Sequence, residues 1–101
     1  MSVLIEFSMY PLDKGLSLSK YVSQLIKVID SSGFDYQLTA MGTIIETSTV
    51  AEATDLVNAC YEVLEPDCER VYATVKFDIR KAGKGRIQAK VASVQEKLTN
   101  S

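Results

Sequence analysis

Histidine does not occur in this sequence of 101 residues, and cysteine occurs only twice. The missing imidazole removes the side chain that ordinarily titrates near neutral pH and the commonest protein metal ligand. Histidine-based catalytic triads are therefore excluded, and zinc sites are disfavoured. The two cysteines do not form a disulfide scaffold in this reading. Cys60 falls on the apolar face of a predicted helix, where a thiol behaves as a small hydrophobe, and Cys68 lies in the loop that follows. No apolar run approaches the roughly 18 residues of a membrane-spanning helix. The N-terminal stretch Met1 to Tyr10 carries Glu6, lacks a basic leader and alternates like a strand, which argues against a signal peptide and for a cytoplasmic protein. Charge of one sign is also scarce. Lys and Arg number 11 against 13 Asp and Glu, a formal net charge of −2. That balance gives no reason to expect attraction to nucleic acid or to an anionic membrane.

What the chain does carry is two periodicities in alternation. In residues 2–10, Val3, Ile5, Phe7 and Met9 fall on one side and Leu4, Glu6, Ser8 and Tyr10 on the other, the period of a strand with one apolar and one mixed face. After Pro11 and Gly15, a helix capped by Ser17 places Leu18, Tyr21, Val22, Leu25, Ile26 and Ile29 at helical spacing and ends at Gly33. Phe34 to Ala40 and Thr43 to Thr47 read as two strands joined by Met41-Gly42, a link too short for anything but a hairpin. Thr49 and Glu52 have capping-box spacing ahead of a second helix, whose apolar positions are Ala53, Leu56, Val57, Cys60, Val63 and Leu64 and which Pro66 ends. Arg70 to Arg80 is the clearest strand, with Val71, Ala73, Val75, Phe77 and Ile79 on one face. A basic, glycine-containing loop, Lys81 to Gly85, leads to a last helix from Arg86 to Leu98, with Ile87, Val91, Val94 and Leu98 on one side.

The order β-α-β-β-α-β plus a C-terminal helix predicts an α+β, ferredoxin-like domain spanning residues 1–101, with two helices on one face of a four-stranded antiparallel sheet. The other face is then left without cover from those helices. It carries Leu4, Glu6, Ser8, Gln37, Thr39, Tyr72, Thr74, Lys76, Asp78 and Arg80, joined by either Glu46 or the pair Thr43 and Thr47, depending on the register of the third strand. Such a mixed polar face suits a second copy of the sheet or a ligand with several hydrogen-bonding edges. RNA recognition on a ferredoxin-like sheet needs several exposed aromatics and a basic surround, whereas only Tyr72 lies in the interior of this face. Enzymatic motifs are equally scarce: Ala82-Gly83-Lys84-Gly85 lacks the spacing of a phosphate loop. No metal or cofactor site is expected.

Several segments together resemble one family. They are Phe7-Ser8 ahead of Pro11, Ser17 to Val22 (SLSKYV), Gly33 to Leu38 (GFDYQL), Met41 to Glu46 (MGTIIE), Arg70-Val71 leading to Lys76 to Arg80 (KFDIR), and Lys90 to Val94 (KVASV). In this order they are similar to the small thiamine-binding (YkoF-like) proteins over nearly the whole chain, with Thr47 standing where that family has glycine after the glutamate. The resemblance implies a non-catalytic protein that binds thiamine or its hydroxymethylpyrimidine half. It also implies assembly through the sheets into a homodimer or homotetramer. An aminopyrimidine presents an amine donor beside ring-nitrogen acceptors, which carboxylates and hydroxyls can meet. On that basis Glu46 is expected to face the amine, Ser8, Thr43 and Thr47 to supply hydroxyls, and Tyr10 and Met41 to offer a stacking ring and a soft wall. Tyr72, Thr74, Lys76, Asp78 and Arg80 are expected at the oligomer interface, where Asp78 and Arg80 could form an intersubunit ion pair. The alternative is a structural or regulatory interaction domain that oligomerises through its open sheet face without any small-molecule ligand.

Overall fold

A computed structural model describes residues 1–16 and 18–100, so the cap expected of Ser17 lies outside the described residues. Its elements are β1 (Ser2–Pro11), α1 (Ser19–Ser31), β2 (Asp35–Thr39), β3 (Gly42–Thr47), α2 (Val50–Leu64), β4 (Val71–Arg80) and α3 (Arg86–Thr99). The four strands form one antiparallel sheet in the order β2-β3-β1-β4, giving the α+β, ferredoxin-like architecture. α1 and α2 lie against β1 and β3 on one face.

The alternation in β1 explains that layer. Val3, Ile5, Phe7 and Met9 all point into the core with Leu25 and Ile29 of α1, Ile45 of β3, and Ala53, Leu56, Cys60 and Leu64 of α2. Ile5, Ile29, Ile45 and Leu64 are the largest of the fully buried side chains, each contributing about 1.5–3 kcal/mol of burial. Local signals agree with this packing. Thr49 and Glu52 form the reciprocal capping box, with the Thr49 hydroxyl accepting from the Glu52 amide at 3.0 Å and the Glu52 carboxylate accepting from the Thr49 amide at 3.0 Å. Burial in this layer pushes the Cys60 thiol up to about 11, so it is an inert packing group.

Three expectations are corrected. The hairpin turn is Ala40-Met41 rather than Met41-Gly42, because Thr39 pairs with Gly42. The Thr39 hydroxyl braces it, donating to the Gly42 carbonyl at 2.8 Å and accepting from the Met41 amide at 3.2 Å. Gly42 has φ +154°, and a Cβ there would stand 3.0 Å from the Phe7 carbonyl oxygen. Gly42→Ala is accordingly expected to cost about 1–3 kcal/mol, seen as a lower urea midpoint at unchanged slope.

Second, Phe77, Ile79 and Leu38, which share the helix-side alternation, remain 42%, 51% and 56% exposed. They stand on β4 and β2, the two outer strands, whereas the helices centre on β1 and β3. Third, the opposite face is not left wholly bare. The first turn of α3 packs on it, burying Arg86 and Ile87 above Leu4, which is itself buried. From Gln88 onward the described residues of α3 are exposed, Val91 and Val94 included.

Candidate functional site

Register decides which side chains can meet. Glu6 pairs with Ile44 and Leu4 with Glu46, so Ile44 and Glu46 share the open face with Leu4 and Glu6. Thr43 and Thr47 point to the helix side, both buried. The six residues expected to hold a ligand are therefore divided. Ser8, Tyr10, Met41 and Thr43 line one cleft; Glu46 and Thr47 do not.

The cleft arises because β1 outruns β3. Pairing between them stops at Phe7 opposite Thr43, while β1 and β4 continue through Ser8 opposite Thr74 to Pro11 opposite Val71. Beyond Phe7, then, the β3-side edge of β1 has no strand neighbour among the described residues. α1 and the Ala40-Met41 turn close around that edge, leaving a hollow of about 570 Å³, within the usual range of small-molecule sites. Val22, Leu25, Ile26 and Ile29 of α1 make an apolar wall, and Leu38 and Met41 extend it. The polar groups are Ser8, Thr39, Thr43 and Thr74, with Glu6 and Lys76 at the rim. Ser8 and Thr74 hydroxyls lie 3.0 Å apart, and the Lys76 ammonium is 3.7 Å from the Glu6 carboxylate. Tyr10 and Tyr72 flank this end of the sheet with ring centroids 5.8 Å apart and planes inclined at 38°. Apolar wall, hydroxyls and an unpaired strand edge together suit a flat heterocycle with donors and acceptors on its perimeter.

Glu46 is committed elsewhere. One carboxylate oxygen accepts from the Ser2 hydroxyl at 2.6 Å and the other from the Arg86 amide at 2.9 Å, at the start of α3. The Arg86 guanidinium donates through Nε to the Ser2 hydroxyl at 2.9 Å and through Nη2 to the Ser2 carbonyl at 2.9 Å and the Asp78 carbonyl at 2.6 Å, while Nη1 lies 3.1 Å from the Asp78 carboxylate. Lys90 donates to the same carboxylate at 2.6 Å. This network fastens α3 to the sheet. Thr47 has a local role, its hydroxyl donating to the Thr49 carbonyl at 2.8 Å ahead of α2. Beside the network lies a second hollow of about 410 Å³ between the sheet and α3, lined chiefly by Leu4, Ile44, Ile87 and Val91 with Glu6 and Lys76 at its edge.

Hydrogen bonds from Lys90 and then Arg86 hold the Asp78 carboxyl below its ordinary value of 3.8. A lowered folded value means that this interaction stabilises above the unfolded value and is lost as the pH falls through the folded one. α3 should therefore loosen from the sheet below about pH 4 before the core opens, measured as earlier loss of amide protection at residues 86–91 than in β1.

Of the residues expected at the oligomer interface, Tyr72, Thr74, Lys76 and Arg80 are exposed on the open face of β4, whereas Asp78 is engaged by α3. Arg86 carries no expectation in the sequence reading beyond opening a helix. A cation in a first helical turn opposes the helix dipole, and that mismatch is the one local hint of a tertiary acid partner.

The chain is similar to known proteins over almost all its length. A family model described as thiamine-binding protein matches residues 5–95. A UPF0045 protein of Mycobacterium tuberculosis is 37% identical over 98 residues, covering 97% of this chain and 96% of the relative. A UPF0045 protein of Methanothermobacter thermautotrophicus is 33% identical, with 95% and 99% covered. Among solved structures, a hypothetical protein of Methanocaldococcus jannaschii superposes with a TM-score of 0.83 at 32% identity, covering 94% of this chain and 97% of the other. A candidate thiamine biosynthesis/salvage protein of Thermotoga maritima superposes with a TM-score of 0.80 at 22% identity, covering 93% and 99%, a likeness of fold.

Proposed function

The chain belongs to the thiamine-binding protein family, and from that premise we propose that it binds thiamine or its hydroxymethylpyrimidine half, without catalysis, in the cleft between α1 and the open edge of β1. The observation that carries this reading is the convergence of Ser8, Tyr10, Met41 and Thr43 on one hollow of about 570 Å³. The pyrimidine ring lies against Met41 and the α1 wall, and hydroxyls of Ser8 and Thr43 meet its ring nitrogens. Glu6, at the rim, accepts from the exocyclic amine, the role the sequence reading gives to Glu46. The Thermotoga maritima neighbour, described with thiamine biosynthesis or salvage, supports the same ligand class. We place the protein in the cytoplasm as a homodimer or homotetramer. The free thiols of Cys60 and Cys68 suit a reducing compartment. Sheet-to-sheet contact would use the part of the open face that α3 leaves clear, where Tyr72, Thr74 and Lys76 are exposed.

Ligand that binds only the folded state raises the unfolding temperature by mass action. At about a hundred times its dissociation constant, thiamine or hydroxymethylpyrimidine should raise the unfolding midpoint by roughly 10 °C or more. No shift and no calorimetric heat with either compound at millimolar concentration would leave the second reading, a domain that only assembles, for which the half-exposed Tyr72 on the open face is the supporting observation.

A further inference from the structure

The hollow between the sheet and α3 has no part in the binding proposed above. α3 docks by its first turn, where Arg86 and Ile87 are buried, and from Gln88 onward its described residues are exposed. A space of about 410 Å³ is left between helix and sheet, with Leu4, Ile44, Ile87 and Val91 as its apolar surfaces. That volume falls within the range of small-molecule sites, which pair an apolar lining with a few placed polar groups.

The charges around this hollow are unequally committed. Among the described residues, Lys76, Arg86 and Lys90 line it together with Glu6 and Asp78. Arg86 and Lys90 both engage the Asp78 carboxylate, at 3.1 Å and 2.6 Å. Glu46, bonded to the Ser2 hydroxyl and the Arg86 amide, lines neither hollow. Lys76 pairs with Glu6 at 3.7 Å, beyond hydrogen-bond length, on a side chain that is 82% exposed. An exposed pair of that separation is weak and exchanges readily for another partner. Glu6 and Lys76 are also the two residues that this hollow shares with the cleft beside α1.

We propose that the hollow is a second ligand site, for a small apolar carboxylate, and that the Glu6–Lys76 pair couples it to the cleft. The apolar body of the ligand lies between Leu4 and Ile44 of the sheet and Ile87 and Val91 of α3, and its carboxylate takes Lys76. The coupling rests on the reading above, in which Glu6 accepts from the amine of the cleft ligand. A Glu6 carboxylate turned to that amine leaves the Lys76 ammonium without its counter-charge, at the edge of the second hollow. An incoming carboxylate replaces it there. By linkage the reverse also holds, since an anion on Lys76 leaves Glu6 free for the amine. Each ligand therefore tightens the other.

Naphthylacetate and its uncharged amide, naphthylacetamide, are suitable probes, followed by amide chemical shifts of the isotope-labelled chain. Naphthylacetate alone should move Leu4, Ile44, Ile87 and Val91 saturably, with a dissociation constant below about 1 mM, and leave Val22, Met41 and Thr43 in place. The amide should bind about tenfold more weakly, and Lys76→Gln should abolish that difference. Glu6→Gln frees Lys76 without any cleft ligand, so it should bind naphthylacetate about fivefold more tightly than the parent. Saturating naphthylacetate should tighten thiamine binding by a similar factor in the parent and not in Lys76→Gln. No shifts in the hollow at millimolar probe, or equal affinity for acid and amide, would overturn the site. Unchanged affinity in Glu6→Gln would overturn the coupling. A chain that takes naphthylacetate as described but no thiamine would support this site while the cleft reading fails.

Discussion

Replacing Glu46 with alanine should destabilise the protein by about 3 kcal/mol and free α3 from the sheet. Glu46 is 9% exposed and Arg86 4% exposed, and the carboxylate is the acceptor for both the Ser2 hydroxyl and the Arg86 amide. Its removal leaves those two donors without their acceptor, beside a guanidinium whose ion-pair partner, the Asp78 carboxylate, is half exposed. Removing one partner from a buried charged network costs far more than the net worth of the pair, because the remaining group stays desolvated. Urea unfolding reads the stability loss. Hydrogen exchange should place the lost protection in residues 86–91 while β1 keeps its own. A loss below about 1 kcal/mol would mean that Glu46 is not the anchor of α3.

The second large effect concerns binding. Ser8→Ala and Thr43→Val each delete one hydroxyl from the cleft, and a ligand polar atom left without its partner weakens binding by about tenfold per lost bond. The double variant should therefore bind thiamine or hydroxymethylpyrimidine roughly a hundredfold more weakly by calorimetry, provided the two sites act independently. Glu46→Gln, which keeps the shape of a residue lining neither hollow, should leave the affinity within about twofold of the parent. Equal losses in the two experiments would place the ligand near α3 instead.

These contrasts show where the sequence was readable. Strand and helix layers followed from periodicity because both helices and β1 bury a single apolar stripe, and the Val3-Ile5-Phe7-Met9 alternation admits one orientation only. Capping was readable for the same local reason: Thr49 and Glu52 are three residues apart and satisfy one another. The candidate site was legible in part. Ser8, Tyr10, Met41 and Thr43 cluster because the hairpin returns β3 beside β1, a consequence of chain order. The register of β3 was not legible, since Thr43-Ile44-Ile45-Glu46-Thr47 offers apolar and polar residues to both faces. One residue of slippage exchanges Glu46 with its threonine neighbours.

Nor could periodicity say where α3 would dock. Its apolar stripe continues along Val91 and Val94, which stay exposed, and only the non-local contacts of Arg86 with Ser2, Glu46 and Asp78 fix its start on the open face. The exposure of Phe77 and Ile79 has a similar origin. Alternation assigns them to the helix side, but whether a helix reaches that side depends on strand order, with β4 outermost. Glycine 42 is a further case: its need for a missing Cβ comes from the Phe7 carbonyl, thirty-five positions away in the chain.

Titration of isotope-labelled protein with thiamine, followed by amide chemical shifts, tells whether the cleft beside α1 is where the ligand binds. Saturable shifts are expected at Ser8, Tyr10, Met41, Thr43 and the facing turn of α1, with Arg86 and Glu46 unmoved. Shifts confined to Leu4, Ile44, Ile87 and Val91, or none at all with either thiamine or hydroxymethylpyrimidine, would contradict it.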